Sequence, residues 1–106
     1  MPKFLFVFYL AIASVVAQST PQQEINEQIW KRFAEAYSHQ DADAFMKIHS
    51  EKLVRIPIGY EVARFEQYKG QNEQNFQRQK KAGIKTKIDF TFVFRKVTGN
   101  SAYEIG

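Results

Sequence analysis

Residues 84–97, IKTKIDFTFVFRKV, alternate almost strictly between two kinds of side chain. Even positions hold Ile84, Thr86, Ile88, Phe90, Phe92 and Phe94, and odd positions hold Lys85, Lys87, Asp89, Thr91, Val93 and Arg95. A period of two, with β-branched and aromatic types throughout, predicts one long, half-buried antiparallel strand. One face of that strand is a row of aromatic and isoleucine side chains, and so apolar a row needs cover from the rest of the chain. Thr98-Gly99-Asn100-Ser101 then predicts a tight turn, and residues 102–105 the start of a returning strand.

The cover has to come from upstream. Thr20-Pro21-Gln22-Gln23 combines a capping hydroxyl, a proline at the first helical position and a glutamine placed to complete a capping box. The helix it starts runs to about Ser38, with Ile25, Ile29, Trp30, Phe33, Ala34 and Tyr37 forming one apolar stripe. Asp41 is placed to cap a second, shorter helix over residues 42–49, whose inner face is Ala44, Phe45 and Ile48. Residues 53–58 predict a short strand with Val54, Ile56 and Ile58 on one face, and Pro57 confines it to an edge or a bulge.

Residues 59–69 show no period, so Tyr60, Phe65 and Tyr68 read as bulky loop residues, tucked against the core or lining the mouth of a pocket. A third helix is predicted over residues 71–82, with Glu73 at its positive end and Lys80-Lys81 and Gly83 at its stop. Its apolar face is only Phe76 and Ala82, which predicts a helix lying over the edge of the domain. The class is α+β.

The first residues read as an address. Met1-Pro2-Lys3 is a short charged region, residues 4–13 are the apolar run FLFVFYLAIA, and Val15-Val16-Ala17 supplies the small residues of a cleavage site. Residues 1–17 are therefore expected to be a signal peptide cut after Ala17, the rival being an uncleaved membrane anchor. The expected location is outside the cytoplasm of a bacterium, periplasmic or secreted. Residues 18–106 then form a single domain with 14 basic and 11 acidic side chains and no cysteine, held together by packing alone. A chain of this size buries roughly 60–65% of its unfolded surface, enough for one core. The basic residues are scattered, which points away from a nucleic-acid interface.

The run IWKRFAEAYSHQDADAFMKIHSEKLVRIPIG, followed by YKGQNEQNF, resembles the opening of the nuclear transport factor 2-like superfamily, including its SnoaL-like and ketosteroid-isomerase-like branches. The resemblance rests on an aromatic-rich first helix, an Asp-x-x-x-Phe second helix, a strand ending in Pro-x-Gly and the start of a third helix. It implies a cone-shaped α+β half-barrel, with helices packed on a strongly curved antiparallel sheet and a pocket between them. That family's sheet usually continues for two or more strands beyond the equivalent of Ile105, whereas this sequence stops at Gly106. The last strands are then missing: a partner supplies them or, the preferred reading, the chain is a fragment of a longer product. In isolation such a chain is expected to aggregate through its open strand.

The chemistry of the ketosteroid-isomerase branch does not carry over. The branch's general base, an Asp directly before the Pro of Pro-x-Gly, is matched here by Ile56, and its oxyanion-stabilising Tyr by Phe33. Neither can accept or donate the proton that the reaction needs. His39 and His49 both follow helix ends, where an imidazole has a structural use, and neither has a metal-ligand neighbour at the right spacing. Asp41 and Asp43 near His39 are explained more simply by capping.

Trp30, Phe33 and Tyr37 read first as packing against the strand's aromatic row. The sharper reading makes them one wall of an apolar ligand site with Ile56, Ile58 and Phe92, where Tyr37 or Tyr60 supplies a hydroxyl. Arg55 and Arg64 are read as surface charges. The expected function is therefore a non-catalytic domain that binds a small apolar or aromatic molecule or dimerises through its sheet, with no cofactor and no metal. The alternative is an enzyme of the same fold, of polyketide cyclase, dehydratase or isomerase type, with its catalytic groups beyond Gly106.

Overall fold

The computed structural model describes residues 18–106, so the signal peptide expected over residues 1–17 lies outside the described residues. The N-terminal rod is helical from Pro21 to Ser38 in three pieces: α1 (Pro21–Ile25), a π-helical turn (Asn26–Trp30) and α2 (Lys31–Ser38). Its start is the capping box read from the sequence, with the Gln23 amide on the Thr20 hydroxyl and the Gln23 side chain on the Thr20 amide. α3 (Ala42–Lys47) is capped by Asp41, whose carboxylate accepts the Ala44 amide at 3.0 Å.

Between α2 and α3 the chain turns at Gln40, the one non-glycine residue with positive φ among the described residues (+53°). The Gln40 amide bonds the Tyr37 carbonyl and the Asp41 amide the Ala36 carbonyl, the two bonds of a Schellman cap. A glutamine is held there because its side chain is used. The Gln40 amide nitrogen donates to the Ile84 carbonyl and to the Gln79 side chain, joining this cap to the end of the last helix.

β1 (Val54–Arg55) and β2 (Ala63–Arg64) make a short antiparallel ladder, and α4 (Phe65–Lys81) follows at once. Two expectations are corrected here. The helix begins six residues before Gln71, starting with Phe65 and running through Gly70, and so takes Phe65 and Tyr68 out of the loop assigned to them. It also does not lie at the edge. Its stripe of Phe65, Tyr68, Asn72 and Phe76 enters the middle of the core, and Phe76 is 2% exposed. Burial of two more aromatic side chains outweighs the roughly 1 kcal/mol that a mid-helix glycine costs. The stop is as read: Gly83 at φ +67°, with Gly83 and Ile84 amides on the Lys80 and Gln79 carbonyls.

The core is helical. Ala36, Phe45, Met46 and Phe76 are buried, with Phe33, Tyr37, Phe65 and Tyr68 packed against them. Phe45 makes edge contacts with Phe33 (4.6 Å between centroids) and Phe76 (5.9 Å), arrangements that aromatic pairs favour.

The long strand is the largest correction. Only β3 (Phe94–Thr98) forms a ladder, pairing with β4 (Ser101–Ile105) through a two-residue turn that has Gly99 at φ +56°. Residues 84–92 carry the alternation but are paired with no strand among the described residues, and a strand is defined by its neighbour. Phe94 also leaves the expected row. The Val93 amide bonds the Ile105 carbonyl while Phe94 is the register partner of Ile105, so two residues oppose one. That is a β-bulge, and it shifts the alternation by one residue. Thr86, Ile88, Phe90 and Phe92 are half-buried before it, Arg95 and Val97 after it. Phe94 therefore faces outward beside Tyr103. The protein is α+β, with helices and two small antiparallel sheets, and no closed barrel forms among the described residues.

Candidate functional site

The π-helical turn sets the geometry of the most distinctive surface. Its last bond runs from the Lys31 amide to the Asn26 carbonyl, a five-residue step that widens the helix at Asn26 and Trp30. Trp30 lies against Phe90 (4.7 Å between centroids), Phe92 (5.4 Å) and Phe33 (6.1 Å). Its indole N–H donates to the Glu104 carboxylate at 3.1 Å.

Glu104 stands directly across the hairpin from Arg95, and the second carboxylate oxygen accepts from the Arg95 guanidinium. Arg95 also donates to the Asn26 side-chain oxygen at 2.7 Å and stacks on the Phe92 ring at 4.2 Å. These side chains are 16% (Arg95) and 9% (Glu104) exposed, so the pair is shielded from water and salt. A shielded pair is costly to break, because the survivor is left charged and unpartnered. Asn26, Trp30, Arg95 and Glu104 thus rivet the hairpin to the helix, at a distance of 74 residues in sequence between Trp30 and Glu104.

Beside this rivet lies an open groove of about 370 Å³ between Asn26, Trp30 and Ala34 on the helix and Ile88, Phe90 and Phe92 on the extended segment. Its floor is aromatic, and the charges at its rim are of both signs: Glu27 with Lys31 at 3.3 Å, Asp89 with Lys87 at 3.9 Å, and Arg95 with Glu104. With each charge answered, the groove suits a neutral apolar or aromatic molecule better than an ion.

Of the ligand residues expected from sequence, Trp30, Phe33 and Phe92 come together. Tyr37 packs instead into the helical core, against Phe76 at 5.3 Å. Ile56, Ile58 and Tyr60 stand apart on the turn between β1 and β2, with Ile58 fully exposed and Ile56 76% exposed. The reason is local. Pro57 has no amide for a ladder and Gly59 sits at φ +78°, so β1 ends after two residues and the chain turns into solvent.

His39 is the C-cap residue of α2. His49 turns its Nδ1 to the Phe45 carbonyl at 2.8 Å and packs on the rings of Phe45 and Tyr68, which gives the imidazole a structural use. Arg55 lies over the Tyr68 ring at 5.0 Å, and the Arg64 amide donates to the Gln67 side chain to start α4. Among the described residues no three acidic, histidine or cysteine side chains are grouped to hold a metal ion, and no helix is long and apolar enough to cross a membrane.

Sequence reading missed Arg95 and Glu104. The signal was present: a turn at Gly99-Asn100 pairs Thr98 with Ser101, and counting back three steps sets Arg95 opposite Glu104. Opposite charges in that position support each other across a hairpin. No family model, curated protein or solved structure matches the chain.

Proposed function

We propose that this chain is an exported, non-catalytic domain of the nuclear transport factor 2-like type. It holds a small neutral apolar or aromatic molecule against its aromatic wall and pairs with a second copy through its sheet. The observation that carries the binding reading is the open groove floored by Trp30, Phe90 and Phe92. A tryptophan left with one side on a groove and its N–H fixed by Glu104 is a preformed surface for a flat apolar ring.

The half-barrel reading is supported by the order of elements and by the hairpin's inner face lying against the first helix. Further strands beside residues 84–92 would turn this wall into the inside of a cone. Export is supported by the charge at Lys3, the apolar run over residues 4–13 and the small residues Val15-Val16-Ala17 after it.

Calorimetric titration with p-cresol, indole and benzoate tests the binding reading. Binding of the two neutral rings, with a negative heat-capacity change and weaker uptake of benzoate, is the expected result. Ala34→Trp, which fills the groove from the helix side without removing a core residue, abolishes that uptake. A wild-type chain that takes up none of the three contradicts the proposal.

A further inference from the structure

Along residues 85–92 the side chains alternate between exposed and half-buried, the period of an extended segment. Yet among the described residues none of their amides or carbonyls bonds another backbone group. A strand edge in that condition accepts another strand when sequence and register permit.

We propose that the occupant is the same segment of a second copy, laid antiparallel about a two-fold axis through Ile88. This deepens the homodimer reading above and rests on it. In that register Ile84 faces Phe92, Thr86 faces Phe90 and Ile88 faces itself, all on the apolar face. On the other face Lys87 lies opposite Asp89 of the second copy, twice over. Charge fixes the register. Moving the axis by one residue sets Lys87 against Lys87 or Asp89 against Asp89, and like charges directly opposed are destabilising.

Within one chain Lys87 and Asp89 are 3.9 Å apart, with side chains 82% and 83% exposed, so that contact is loosely held and can be exchanged for the cross-strand pairs. Each copy's helix covers its own hairpin, and antiparallel pairing sends the two hairpins to opposite ends of the shared sheet. The two helices therefore do not compete for one place.

The test measures the mass of the purified chain by light scattering over a dilution series, the chain mass being 12.4 kDa. A concentration-dependent dimer is expected. Lys87→Asp and Asp89→Lys each weaken it by about tenfold, because each creates two like-charge pairs. The combined exchange of both residues restores it. The chain has no cysteine, so Ile88→Cys gives a single thiol on the axis that a short bismaleimide joins into a dimer. Thr91→Cys, whose partner is Lys85, does not join.

A monomer at every concentration overturns both this inference and the homodimer reading. A dimer indifferent to residues 87 and 89, or one whose position 88 does not cross-link, overturns the edge register alone. In that case Tyr103→Lys, on the outer face of the hairpin, dissociates the dimer and locates the interface there.

Discussion

The helical half of this protein and its β half contain similar numbers of large apolar residues and treat them in opposite ways. In the helices, Phe45 and Phe76 are 1% and 2% exposed, and each is surrounded by rings from other helices. Along residues 84–105, Phe90 and Phe92 are only half-buried, and Val93, Phe94, Tyr103 and Ile105 are exposed. Helices α2, α3 and α4 close a core among themselves. A hairpin with one extended tail does not, because two strands present too little apolar face to enclose a core of their own. The β half is therefore where surface remains to be covered.

The largest effects should sharpen this contrast. Phe45→Ala and Phe76→Ala each cost about 3–5 kcal/mol in chemical denaturation, as expected for a fully enclosed aromatic. Phe92→Ala costs roughly half that or less, because its ring is only partly enclosed. Equal losses at the three positions would break the comparison.

Glu104→Ala comes next. It strands the Arg95 guanidinium and the Trp30 N–H in a shielded place, and a loss of about 2–3 kcal/mol is expected. A double-mutant cycle with Arg95→Ala should recover much of that loss; simple additivity would show that the rivet contributes little.

Gly83→Ala acts on neither half but on the helix stop between them. The space is open, with nothing within 4 Å of an added methyl, so the cost is the left-handed backbone alone, about 1 kcal/mol. Phe94→Thr on the outer face is the smallest, within about 0.5 kcal/mol in the dilute chain, since it removes one exposed edge contact with Tyr103.

The helices were legible because their signals are local. Thr20 with Gln23, Asp41 before Ala44, and Lys80-Lys81 before Gly83 each act within one turn, and each is found as read. The start of α4 was hidden because Gly70 looks like punctuation, and it takes the rings of Phe45 at 6.0 Å and His49 at 5.4 Å, both distant in sequence, to explain why Tyr68 belongs to the helix. The strand misled for the converse reason. Alternation reports which side chains share a face, but pairing depends on a second segment distant in sequence. The bulge at Val93 moved Phe94 to the other face without any glycine to announce it. The site was legible in part: Trp30, Phe33 and Phe92 were read as one wall, whereas Ile56 and Ile58 followed a strand that Pro57 and Gly59 end early. The Gly99-Asn100 register that would have shown Arg95 and Glu104 was present and was not counted through.

The central claim is that residues 85–92 form an open edge awaiting a second strand. Amide hydrogen exchange measured at two protein concentrations tests it most directly. In dilute solution these amides should exchange at rates close to those of an unstructured chain while the amides around Phe76 stay protected. At high concentration alternate amides across residues 85–92 should slow together. Protection of this segment at every dilution, or none at any concentration, would contradict the account.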